Sequence, residues 1–124
     1  MTETCEWNDL VERDGLHYKN SFFLIFLGVP FTGKVTGREQ GSIKNGKRHG
    51  PWVEYHENGQ VWLKGIYKDG KLDGPWVGYN ENGQLESKGT YKDGKMDGPW
   101  VGYWSNGTVS SSDTGTFKDG VKVK

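Results

Sequence analysis

The chain has 124 residues, of which 16 are basic and 16 acidic, so its formal charge is zero. That length suits one domain, and the missing basic footprint argues against a nucleic-acid partner. With 14% aromatic residues and 20 glycines in a regular pattern, the chain is no disordered segment but fits a turn-rich all-β protein with an aromatic core.

The N-terminus, MTETCEWNDLVERDG, is acidic and polar and does not read as a signal peptide. The expected location is therefore the cytoplasm, or outside the cell if a leader has been removed. Cys5 is the single cysteine, so no intrachain disulfide framework exists. The most apolar run is FFLIFLG, Phe22 to Gly28. It is far too short to span a bilayer and reads as a buried strand. Residues 1–40 thus form an N-terminal segment ahead of a different kind of sequence.

From residue 41 to 124 the chain repeats itself. Gly50-Pro51-Trp52, Gly74-Pro75-Trp76 and Gly98-Pro99-Trp100 stand 24 residues apart. Asn-Gly or Asp-Gly occurs at 45, 58, 69, 82, 93, 106 and 119. Each pair suits a two-residue type I′ hairpin, because both positions need positive φ. Val, Tyr, Trp, Ile and Thr fill the segments between, as strands prefer. The expected fold is an elongated, curved antiparallel β-meander of tandem 24-residue hairpins.

Two-residue turns fix the register on paper. Asp69-Gly70 sets Tyr67 against Leu72, Gly65 against Gly74 and Leu63 against Trp76. Asn82-Gly83 sets Trp76 against Gly89 and Gly74 against Tyr91. Asp93-Gly94 sets Gly89 against Gly98 and Ser87 against Trp100. One face then carries Val61, Leu63, Tyr67, Leu72, Trp76, Leu85, Tyr91, Met96 and Trp100, interleaved with glycines. The other carries Lys64, Lys68, Asp73, Val77, Tyr79, Glu86, Lys88, Thr90, Asp97, Val101 and Tyr103. Trp52, Leu63, Tyr67, Trp76, Tyr91 and Trp100 are the expected structural core. Gly50, Gly65, Gly74, Gly89 and Gly98 are the repeat glycines that let each ring lie across bare backbone. Trp76→Ala should then cost about 3–5 kcal/mol. The end units differ: Arg48 replaces Leu72 and Met96, and two extra residues before Gly115 require a bulge if Trp100 is to meet that glycine.

The pattern YxENGQ…KGxYKDGKxDGPW, carried by Tyr55–Gln60, Gly65–Trp76 and Gly89–Trp100, resembles the bacterial variant of the MORN repeat (membrane occupation and recognition nexus). The resemblance covers about residues 41–120, and Val29–Gly37 resembles a degenerate leading half-unit. It implies an extended meander of hairpins. A bacterial group with such repeats serves as the antitoxin partner in toxin–antitoxin pairs, and eukaryotic relatives are linked to membrane or protein scaffolding.

Catalytic chemistry finds little support. His17, His49 and His56 sit in no metalloprotease pattern, Cys5 has no base at a motif spacing, and no phosphate loop is present. The expectation is a non-enzyme with no cofactor and no metal. Its contacts are expected on the wet face, where Trp62, Val77, Tyr79, Val101 and Tyr103 form an aromatic and apolar cluster with no structural excuse. The expected partner is a protein, which the resemblance makes a toxin. A membrane surface met by the lysine rows is the alternative, as is a second copy of the chain paired at an open sheet edge. The tail Asp119–Lys124 reads as edge protection by charge.

Overall fold

The computed structural model describes residues 3–13, 15–19, 28 and 30–124. The apolar run Phe22–Leu27, expected as a buried strand, lies outside the described residues. What is described is nearly all strand, without an α-helix. Strand β1 (Thr4–Glu6) leads into one 3-10 turn (Trp7–Asp9), and β2 (Leu10–Arg13) pairs with β3 (Leu16–Lys19) as a small separate sheet. The main sheet begins with β4 (Gly33–Thr36), β5 (Glu39–Lys44), β6 (Lys47–Tyr55) and β7 (Val61–Lys68). It continues through β8 (Lys71–Leu72), β9 (Gly74–Tyr79), β10 (Leu85–Lys92), β11 (Lys95–Met96), β12 (Gly98–Tyr103), β13 (Val109–Lys118) and β14 (Val121–Lys122). From β4 onward the chain runs as successive antiparallel hairpins, with β8 and β9 both pairing with β7 and β11 and β12 both with β10, while β1 lies parallel to β4 at the leading edge. The expected β-meander is the fold.

The turns come in two kinds, not one. Asn45, Asp69, Asp93 and Asp119 have φ near +50°, as a two-residue type I′ turn demands. Asn58, Asn82 and Asn106 do not. There the loop has three residues: Gly59 N–H donates to His56 O, and His56 N–H donates to Gln60 O. Gly83 with Asn80 and Gly107 with Trp104 repeat the arrangement. Only the glycine needs positive φ in this loop, so Asn-Gly alone cannot distinguish the two.

A three-residue loop shifts the register by one, and a bulge between Leu85 and Ser87 restores it. Trp76 therefore faces Gly89 and Gly74 faces Tyr91 as expected, but by a different path. Beside the loop the correction is real: Leu85 pairs with Tyr79, and Val61 with Tyr55, although opposite faces were expected for Leu85 and Tyr79. A second correction falls at Gly-Pro. Tyr67 faces Leu72 as expected, yet Leu63 faces Gly78 rather than Trp76. Likewise Ser87 faces Gly102 rather than Trp100. The pairings of Gly65 with Gly74 and of Gly89 with Gly98 are lost by the same shift. The strand takes in two extra residues at Asp73-Gly74 and Asp97-Gly98, where Gly74 and Gly98 have φ of 127° and 95°. Proline, with no N–H for the ladder, is tolerated at such a bulge.

These shifts align one row across the sheet. Gly41 faces Trp52, Trp52 faces Gly65, Trp76 faces Gly89, and Trp100 faces Gly115. The last pairing comes through the bulge that the two extra residues required. A β-carbon built on Gly41 would fall in the Trp52 ring, and one on Gly89 in the Trp100 ring. On Gly65 it would meet Trp76 at 3.0 Å. Each indole thus lies over the glycine eleven residues before it, one strand back.

The rings then pack on one another. Trp76 and Trp100 have centroids 5.5 Å apart, and Tyr91 stands edge-on to Trp100 at 5.2 Å. Trp100 also donates its indole N–H to Thr90 O at 3.0 Å. At the leading end Trp52 joins Cys5, Phe31, Val35 and Ile43 in the one well-buried cluster of the described residues. The accessible surface is 8086 Å². A compact monomer of this mass exposes about 6,700 Å².

Trp52 and Trp100 are 2% and 6% exposed, and Trp76 is half-buried. Urea unfolding should therefore rank the alanine variants. Trp52→Ala and Trp100→Ala should lose about 3–5 kcal/mol, and Trp76→Ala less than either. Gly89→Ala, which puts a methyl into the Trp100 ring, should lose about 1–3 kcal/mol. The exposed neighbour Thr90→Ala should stay within about 0.5 kcal/mol.

Candidate functional site

The Trp–Gly row sends its side chains to one face, so on the other face it offers only backbone. Two rows of side chains flank that bare strip. One is set by the pairs Gln40–Val53, Val53–Lys64, Lys64–Val77, Val77–Lys88 and Lys88–Val101. The other comes from Pro51–Ile66, Pro75–Thr90 and Pro99–Thr116. Between the rows runs a groove of about 860 Å³ that crosses from β5 to β12. Valine and proline stand in its walls, with the exposed Lys64 and Lys88 between the valines. No acidic side chain lines it.

The expected contact residues go to three places. Val77 and Val101 stand in the groove wall. Trp62 is 49% exposed and lies outside the groove, its ring 5.7 Å from that of His56. Tyr79 is half-buried against Leu85, and its carbonyl accepts a 2.9 Å hydrogen bond from His56 Nε2. Tyr103 is half-buried against Val109 and lines a separate cavity of about 760 Å³ on the ring-bearing side. Of the expected core, Trp52 and Trp100 are buried, while Leu63, Tyr67, Trp76 and Tyr91 are half-buried. The prolines and Val53 were not singled out in the sequence as contact residues. Their signal was there: Pro-Trp-Val recurs as a triplet, and its outer two residues share a face.

A second constellation closes the leading end of the ring face. Arg48 lays its guanidinium 4.3 Å over the Trp7 ring and within about 5 Å of those of Trp52 and Tyr67. Glu39 and Glu54 face each other across β5 and β6, and Glu39 lies 4.0 Å from Arg48. Burial, then the hydrogen bond and charge of Glu54, push the Glu39 pKa up to about 7, against the pull of Arg48. Glu39 therefore keeps its proton up to near neutrality.

The other titratable groups at this end are not poised for catalysis. Burial raises the pKa of the Cys5 thiol, and Asp9 adds to it, the reverse of an activated thiolate. Burial lowers the His17 pKa, with Arg48 contributing, and the imidazole packs at a tilt against Trp7, with centroids 4.9 Å apart. His49 pairs with Ser42 at the start of the Gly50 bulge. Among the described residues no three His, Cys, Asp or Glu side chains converge as metal ligands. None of their helices is long and apolar enough to cross a membrane.

Residues 48–69 and 72–93 each match the MORN repeat variant, giving two such repeats in tandem. No curated protein matches the chain.

The Glu39 shift has a sign that can be tested. Its folded pKa lies above the unfolded one, so the folded state holds the extra proton between about pH 4.5 and 7. Stability from this group is present at the acid end of that window and is lost as pH rises through 7. Glu39→Gln, which removes the titration, should raise the melting temperature at pH 8 and leave it nearly unchanged at pH 5. Thermal unfolding of both proteins at the two pH values measures the difference.

Proposed function

We propose that the chain is a non-enzymatic repeat module that binds a protein partner, taking the two tandem MORN repeat variants as the premise. One observation carries the reading: the apolar groove crosses three repeats without a carboxylate. A concave, mainly apolar lining with a few polar groups at its rim is the usual form of a binding site. Val77 and Val101 are the proposed contact residues in the wall, with Trp62, Tyr79 and Tyr103 as outlying contacts. The finer reading is an antitoxin-like role, in which the partner is a toxin and neutralisation is steric. A rigid meander suits that role, because a preformed surface loses little conformational freedom on binding.

Peripheral attachment to anionic lipid through Lys64, Lys68, Lys88 and Lys92 is the second reading. The exposure of these lysines favours it. Asp69 and Asp93, in the turns beside them, weaken it by alternating the charge.

Affinity capture from native lysate tests the choice. One protein should be retained by the wild-type chain and lost by a Val77→Glu, Val101→Glu double variant that keeps its far-UV spectrum. A Tyr79→Ser, Tyr103→Ser double variant should lose less of it. Capture indifferent to the valines, with salt-sensitive binding to phosphatidylserine vesicles, would favour the membrane reading.

A further inference from the structure

The groove has a period, and the inference drawn from it rests on the protein-binding reading above. Equivalent wall residues recur on every second strand: Val77 and Val101, Pro75 and Pro99, Lys64 and Lys88. Strands lie about 4.8 Å apart, so each pair is separated by about 9.6 Å along the groove.

A partner segment lying along the groove must present like groups at that interval. An extended strand returns a side chain to the same side every two residues, or about 6.7 Å. Seven residues of α-helix advance about 10.5 Å. A polyproline II helix returns every third residue to one line after about 9.3 Å. It alone stays in phase, slipping about 0.3 Å per repeat. The groove crosses six strands, roughly 24 Å, which about eight polyproline II residues would fill.

Hydrogen bonding separately excludes an added strand. The groove floor is sheet interior, whose backbone N–H and C=O groups are engaged in the ladder on both sides. A partner strand finds no edge there to extend. Polyproline II needs none, because its backbone makes no internal or ladder hydrogen bonds. Charge then adds the last element. Lys64 and Lys88 are exposed, line the groove, and take part in none of the ion pairs among the described residues.

We propose that the groove takes a proline-rich polyproline II segment of a protein partner, with an acidic side chain at every third position opposite Lys64 and Lys88. Apolar residues between the acids would seat against Val77 and Val101 and the neighbouring prolines.

Three fluorescein-labelled peptides test this with the full chain by fluorescence anisotropy at low salt. (Glu-Pro-Pro)3 carries the right period and conformation. (Glu-Pro-Pro-Pro)3 keeps the conformation and charge but breaks the period. (Glu-Gly-Ser)3 keeps the charge and spacing but not the conformation. The first should bind at least tenfold more tightly than either control. A Lys64→Gln, Lys88→Gln variant with unchanged far-UV spectrum should lose at least tenfold of that affinity. Equal binding of all three peptides, full affinity in the lysine variant, or no binding of the first peptide would each overturn the proposal. If the peptides fail while the valine variant still loses a captured protein, only the polyproline inference falls. If the peptides fail and anionic vesicles bind through the two lysines, the protein-binding reading falls with it.

Discussion

An indole ring cannot lie against the backbone of a neighbouring strand unless the residue there has no side chain. That steric fact organises the molecule. Glycine at 41, 65 and 89 opens the space, and tryptophan at 52, 76 and 100 fills it. Because the rings all project to one side, the strip they leave on the other side is bare backbone between a row of alternating valine and lysine and a row of proline, isoleucine and threonine. The core and the groove are two faces of one row. Any substitution that fills a glycine position would disturb both.

The repeats are not equal in their electrostatics. Where later units place Leu72 and Met96, the first places Arg48, clamped between Trp7, Trp52 and Tyr67. A guanidinium tolerates that half-buried setting because three aromatic faces and a carboxylate surround it. The carboxylates across from it are the cost, since burial and mutual repulsion hold Glu39 partly protonated near neutrality. The leading end is thereby sealed by polar groups, while the ring face around Trp76, Tyr91, Trp100 and Phe117 stays open.

Much of this was legible in the residues. The 24-residue period and the Asp-Gly hairpin turns follow from the residues alone, and Trp76 meets Gly89 as the Asn82-Gly83 turn implied, but the Asp-Gly pairs set Trp76 and Trp100 against Leu63 and Ser87 instead of glycines. What was not legible were offsets. Asn58, Asn82 and Asn106 look like Asp69 on paper, yet their loops hold one more residue, because either loop accepts an asparagine before a glycine. The Gly-Pro bulges were hidden for a related reason: a positive-φ glycine can end a turn or deform a strand, and only neighbouring strands decide which. Val77 and Tyr79 alternate to one side of β9, as Val101 and Tyr103 do on β12, but the tyrosines stand at the strand ends beside the loops and do not line the groove. The groove itself was hidden because it is made by what glycine and tryptophan leave vacant.

Each ring rests on the glycine that precedes it by eleven residues. A chain emerging from the ribosome presents its N-terminal end first. Every seat is therefore exposed before the ring that occupies it has been made, and each ring then needs only the next strand, whose glycine faces it. The meander can wind up strand by strand at the pace of synthesis, always adding at its newest edge. The same asymmetry gives the protein a growing end and a finished one, as in a zipper with a single slider.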